Sequence, residues 1–159
     1  MMELWDAYDK NFNKIEGMTL VRGERMPEGV YHLVCEILVK HKDGTYLLMQ
    51  RDRRKAYGGM WEASGGGSAL QGEDPLSAAV RELREETGII AEELTEKRRE
   101  VNARTKSIFV NFLCITDIDK DSVKLQEGET IAYKWVTKEE LLSMPESKLM
   151  TPRYTEMLE

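Results

Sequence analysis

The sequence predicts an α+β fold, a mixed β-sheet sandwiched between helices and preceded by an N-terminal β-hairpin. Three observations carry that prediction: short strand-like runs bounded by turn residues, a strong hairpin signal at Asp43-Gly44, and an amphipathic helix between a glycine run and Gly88. In chain order, Leu4 to Tyr8, the polar turn Lys10-Asn11-Phe12-Asn13, and Lys14 to Val21 read as the opening hairpin. Tyr31 to Val39 is aliphatic and β-branched, Asp43-Gly44 supplies the positive φ of a tight turn, and Thr45 to Gln50 resumes the strand pattern. From Trp61 the character changes. Gly65-Gly66-Gly67 is expected to break regular structure. A helix follows, with Pro75 in its first turn, where a missing N–H costs nothing, and Gly88 at its end. Leu76, Ala79, Val80 and Leu83 recur at helical spacing and are expected to be its buried face. Ile108 to Ile115 and Ile131 to Val136 read as further strands, and Lys138 to Met144 as a short helix.

The 159 residues fit one domain, 1–159, and no repeat, low-complexity tract or Pro/Ser-rich linker divides them. No apolar run approaches the roughly 18 to 20 residues that cross a bilayer, so no membrane partner is expected. The start, Met1 to Lys10, is polar and acidic where an export signal would be basic and then apolar, which predicts a cytoplasmic protein. A net charge of −6 argues against binding a nucleic-acid polymer through its backbone, which takes a basic face. A phosphorylated small molecule stays compatible where cations offset the repulsion. Cys35 and Cys114 sit inside apolar runs, away from metal-ligand spacing, and are expected to be buried free thiols.

The same helix carries Glu82, Glu85 and Glu86, which fall within an arc of roughly 100°. Carboxylates so close resist joint ionisation unless a cation compensates, and hard ions such as Mg²⁺ or Mn²⁺ prefer oxygen donors. A solvated acidic helix face is the ordinary alternative for such a cluster taken alone. The glycine run just before the helix shifts the balance, because a segment without side chains lets backbone groups approach a ligand.

Here the sequence resembles a known family. Gly67, Glu73, Arg81, Glu82, Leu83, Glu85, Glu86, Gly88 and Ile89 match the Nudix box residue for residue and gap for gap. The resemblance implies the Nudix fold and a hydrolase that cleaves a diphosphate linkage in a nucleoside di- or triphosphate, or in a nucleoside diphosphate-linked compound. It implies that Glu82, Glu85 and Glu86 ligate Mg²⁺, which Mn²⁺ can replace, aided by a backbone carbonyl of Gly66 or Gly67. By the same resemblance Glu73 and Arg81 pair to hold the loop against the helix. A further carboxylate is expected from Gln126-Glu127-Gly128-Glu129, with Glu129 preferred over Glu127. Either Glu85 or the downstream glutamate is expected to act as base in the attack of water on phosphorus, beside Glu86. Arg51, at a strand end, is the expected contact to substrate phosphate, whereas Arg53, Arg54 and Lys55 read as a solvated loop. Trp61 is expected to anchor the sheet, with base stacking by Tyr57 or Trp61 the lesser reading.

The opening hairpin, Tyr31-His32-Leu33-Val34, Gln50-Arg51 and Gly59-Met60-Trp61 further resemble hydrolases related to isopentenyl diphosphate isomerase. Isomerisation itself is disfavoured. The isomerase has a cysteine and a histidine where this chain runs Glu62-Ala63-Ser64-Gly65-Gly66-Gly67-Ser68, and Ser107 to Asn111 lacks a carboxylate. His32 alone on a strand reads as a packed or hydrogen-bonded side chain. A noncatalytic nucleotide sensor is the third reading, weakened by the complete box. A homodimer contact through Trp5, Tyr8 and the apolar side of the hairpin is also expected. Landmarks of ADP-ribose and dinucleoside polyphosphate hydrolases are not evident, so nucleoside phosphates and nucleotide sugars stay open as substrates.

Overall fold

The computed structural model describes residues 2–150 and 157–158. An antiparallel hairpin, β1 (Leu4–Tyr8) and β2 (Lys14–Val21), stands beside a main sheet. The main sheet is built from β3 (His32–His41), β4 (Tyr46–Arg51), β5 (Trp61–Glu62), β6 (Gly65–Ser68), β7 (Leu94–Asn102), β8 (Ser107–Thr116) and β9 (Thr130–Val136). Two helices accompany it, α1 (Pro75–Thr87) and α2 (Lys138–Ser143). The sheet is mixed: β3 runs parallel to β8 over its whole length, and the other pairings between its strands are antiparallel.

Alternation along β3 separates two layers of core. Leu33, Cys35, Ile37 and Val39 face α1 and pack with Ala78, Ala79 and Leu83, all buried. Leu38 faces the other way and packs with Tyr46, Leu48, Val136 and Leu141 of α2. The sheet therefore lies between two helices. The buried face of α1 is Ala78, Ala79, Leu83 and Thr87. The expected face is thus rotated: Val80 is only partly buried and Leu76 is exposed. The helix ends are chemically explicit. The Asp74 side chain accepts from the Ser77 N–H, and Gly88 adopts φ 79°, donating to the Arg84 carbonyl.

Two strands depart from the sequence reading. Gly65-Gly66-Gly67, expected to break structure, is strand β6, antiparallel to residues 34–37 of β3. β3 pairs with β4 only at Val39 and Lys40, which leaves its lower edge open, and the glycine strand fills it. The Ser64 hydroxyl sits at the fork, accepting from Val39 N–H at 2.8 Å and donating to the Leu47 carbonyl at 2.7 Å. Strand β7 was not expected at all. Its Thr95-Glu96-Lys97-Arg98-Arg99-Glu100 run pairs with β8 through a register shift between Glu96 and Arg98.

The hairpin is docked on the sheet. Tyr8 and Tyr31 exchange both backbone hydrogen bonds at 2.9 Å, and Trp5 stacks on His32 at 4.2 Å between ring centroids. Trp5, Ala7, Leu20 and Val30 bury one another. The apolar side assigned to a dimer contact is therefore covered within the chain, since Trp5 retains only 8% exposure. No helix among the described residues is long and apolar enough to cross a membrane.

Candidate active site

Where β4 and β6 diverge, an open cleft of about 500 Å³ forms, walled by β6 and α1 on one side and by the β4–β5 and pre-β9 segments on the other. It takes in Gly66, Gly67, Arg51, Arg81, Glu82, Glu85, Glu86 and Glu129, every site position expected from the sequence except Glu73, which stands behind Arg81.

On the helix wall a single guanidinium serves three carboxylates. Arg81 donates to Glu73 through Nε at 2.7 Å and Nη2 at 2.9 Å, to Glu82 at 3.1 Å and to Glu85 at 3.2 Å. Glu73 also accepts from the Leu70 N–H at 2.7 Å, tying the loop before the helix to the helix itself. The surrounding carboxylates hold the Arg81 pKa above its ordinary value, its hydrogen bond to Glu73 first among them. Burial raises the Glu82 carboxyl against the pull of Arg81. Glu86 lies deeper. Burial, then the charges of Glu82, Glu62 and Glu129, push its pKa up to about 9. Burial and mutual repulsion thus act on Glu82 and Glu86 in the same direction, against joint ionisation.

The glycine strand is what lets this wall close. A Cβ on Gly67 would lie 2.5 Å from Glu82 Oε1, and one on Gly66 would lie 2.8 Å from the Cys35 carbonyl oxygen. Only a strand without side chains admits the helix carboxyls and β3 at these distances. As the side chains stand, no three carboxyl, imidazole or thiol groups among the described residues gather round one point. Glu82 is turned to Arg81, and Glu86 lies against Gly65, its Oε2 3.7 Å from where a Cβ there would stand. The donors nonetheless fit a hard divalent cation. They are all oxygen, and their mutual repulsion exceeds what Arg81 neutralises, a deficit that a cation would relieve.

The opposite wall pairs its charges one to one. Arg51 Nη1 donates to Glu62 at 2.8 Å and its Nε to the Ala56 carbonyl at 2.9 Å. Arg51 thus lines the cleft as expected, with its guanidinium already engaged. Lys55 forms an ion pair with Glu129. It belongs to the cleft, contrary to its reading as part of a solvated loop. Arg54 does stay at the surface, clamping Asp52 at 2.7 and 2.9 Å. Glu127 and Tyr57, the latter at 67% exposure, are exposed and outside the cleft; Trp61 is also outside it, partly buried with its ring under Lys134 Nζ at 4.2 Å.

Sequence reasoning passed over Glu36 and Glu62, both in the cleft. Glu36 accepts from Asn111 Nδ2 at 3.4 Å. A signal existed: Glu36 is a lone acid within the apolar run Leu33 to Val39. His32 is packed, hydrogen-bonded to Ser107 Oγ at 2.9 Å and Ser68 Oγ at 3.3 Å. Burial lowers its pKa to about 4. Cys35 lies under α1, its thiol donating to the Pro75 carbonyl, and Cys114 lies in the same core layer; neither lines the cleft.

The model of the NUDIX domain matches residues 30–158, most of the chain. The chain belongs to the Nudix family. An uncharacterized Nudix hydrolase of Listeria monocytogenes is 33% identical over 155 residues, 96% of this chain and 90% of that protein. The CTP pyrophosphohydrolase of Escherichia coli is 36% identical over 107 residues, 65% of this chain and 75% of its own. The crystal structure of DR0079 from Deinococcus radiodurans shares the fold at a TM-score of 0.72, with 18% identity over 89% of this chain and 87% of that one. As a Nudix protein the chain is a pyrophosphohydrolase of nucleotide-type substrates, in a family that works with divalent cations.

Proposed function

We propose that this Nudix hydrolase cleaves the phosphoanhydride of a nucleoside triphosphate or diphosphate, with Mg²⁺ as its cation and Mn²⁺ able to replace it. The observation that carries the reading is the cluster of Glu82, Glu85 and Glu86 in the cleft, only partly neutralised by Arg81 and set against a strand without side chains. Glu82, Glu85 and Glu86, with a carbonyl of Gly66 or Gly67, would hold the cation, and Glu129 would join them once Lys55 lets it go. When bound, the cation supplies charge neutralisation for the diphosphate oxygens and acidity to water.

The chain's own residues do the rest. Water attacks phosphorus, an O–P bond forms, the bridging P–O bond breaks, and its electron pair leaves with the departing phosphate. The water's proton passes to a carboxylate of the cleft. Glu85 and Glu129, both about half exposed, are the two open to it. Arg51 and Lys55 would offer donors to the substrate phosphates by exchanging their carboxylate partners for phosphate oxygens. Glu73 acts through Arg81, keeping the helix wall in register with the glycine strand.

Support for a nucleoside triphosphate comes from the similarity to the CTP pyrophosphohydrolase, and the all-oxygen donor set supports Mg²⁺. The test is turnover of nucleoside di- and triphosphates, nucleotide sugars and dinucleotides with Mg²⁺, with Mn²⁺ and with chelator. Metal-dependent turnover is expected. Tight nucleotide binding without turnover would instead establish a sensor.

A further inference from the structure

The NUDIX domain proper begins at residue 30, yet the cleft takes Glu3 and Arg22 from the hairpin that precedes it. These residues flank the open end of the hairpin: Glu3 comes just before β1, and Arg22 just after β2. The Arg22 N–H donates to the Glu3 carbonyl at 3.0 Å, and Arg22 Nη1 donates to Glu3 Oε2 at 3.2 Å.

The pair is presented on a fixed mount. Trp5 Nε1 donates to the same Glu3 oxygen at 2.7 Å while its ring stacks on His32. The Gln71 N–H donates to the Leu4 carbonyl and the Gly72 N–H to Asp6, so the loop entering α1 grips the hairpin. Arg22 itself remains 66% exposed, and its ion pair with Glu3 is the shallow kind that a ligand displaces readily. The deeper cations Arg81, Arg51 and Lys55 face carboxylates of the reacting end.

Position along the strand says what this end receives. Along β6 the helix carboxyls run from Glu86, 3.7 Å from where a Cβ on Gly65 would stand, to Glu82 at Gly67. Ser68, which contacts His32 under the hairpin, lies three residues beyond Gly65 along β6, roughly 10 Å away at the rise of a strand. The hairpin pair thus stands beyond the carboxyl end of the cleft, where the part of a nucleotide remote from its reacting phosphorus would lie. A guanidinium fork beside a carboxylate offers donors and an acceptor together, the complement of a base edge that carries both.

We propose that the hairpin's Glu3–Arg22 pair reads the nucleobase, resting on the reading of the cleft as a nucleotide site. The test is calorimetric binding, with Mg²⁺, of non-hydrolysable analogues of the four common nucleoside triphosphates and of inorganic tripolyphosphate. The proteins are the wild type, R22A, R22K and E3Q. Wild type is expected to discriminate among bases, and R22A and E3Q to narrow that spread about ten-fold with tripolyphosphate affinity unchanged. R22K keeps the charge and loses the fork, so it should behave as R22A does.

A spread unchanged in R22A, a wild type indifferent to the base, or tripolyphosphate weakened along with the nucleotides overturns the proposal. The last result would make Arg22 a phosphate contact. Hydrolysis is scored separately on natural nucleotides, so absent turnover with base discrimination intact would sink the catalytic reading and leave this one standing.

Discussion

The two walls of the cleft solve the problem of crowded charge differently. On the α1 wall one guanidinium is divided among Glu73, Glu82 and Glu85, and Glu86 stays protonated well above the ordinary carboxylate range. On the opposite wall each acid has its own cation, Arg51 for Glu62 and Lys55 for Glu129. The helix wall thus lacks positive charge and is suited to gain it from a metal ion. The opposite wall is balanced and is suited to exchange partners with a phosphate. A carboxylate cluster is not a site by virtue of its acids alone; what counts is how far neutralisation falls short.

The sharpest way to break this contrast is Glu86→Gln, which keeps the shape and removes the charge a cation would meet. Turnover should fall by about 10²–10³-fold, with the fold intact by circular dichroism. Loss below threefold would mean the deficit on the helix wall has no catalytic use. Next in size, Arg81→Gln withdraws the one shared cation and leaves Glu73, Glu82 and Glu85 facing one another. Chemical denaturation should register a loss of about 3 kcal/mol, part of which Mg²⁺ should restore. A metal-independent loss would argue that the deficit is not answered by a cation.

A change on the balanced wall should be milder. Arg51→Ala is expected to raise KM about ten-fold while kcat stays within a few-fold, the mark of lost ground-state phosphate binding. A fall in kcat with KM unchanged would place Arg51 among the groups acting on the transition state.

The smallest effect belongs to the hairpin junction. His32 has a folded pKa near 4 and an unfolded value near 6.5, so the unfolded chain binds the extra proton between them. Stability should be full above pH 6.5 and decline as pH falls towards 4, by roughly 1–2 kcal/mol given partial exposure. Melting curves of wild type and His32→Gln across that window check it. Parallel slopes would remove His32 as the cause.

Legibility in the sequence followed the range of the forces involved. Helix α1 could be read because Pro75 and Gly88 are local signals acting on backbone within a turn. The hairpin and the Asp43-Gly44 turn were legible for the same reason. The carboxylate edge at 82, 85 and 86 followed from helical spacing alone. Strand β7 was hidden because edge position lets it carry a run of charged side chains, Glu96 and Arg99 of them exposed, and its register shift breaks the alternation that marks a strand.

The glycine run misled, since glycine's intrinsic preference opposes the strand it forms. That strand exists because the open edge of β3 needs hydrogen-bond partners and the carboxyls of α1 leave no room for a Cβ. The placing of Glu36, Glu62, Lys55 and Arg22 around one cleft joins segments far apart in the chain, and no local rule reaches that far. By itself the sequence determined the elements whose signals are local and the acids of the Nudix box. The tertiary structure alone decided which cation each acid meets, because that depends on packing between strands and loops rather than on any neighbour in the chain.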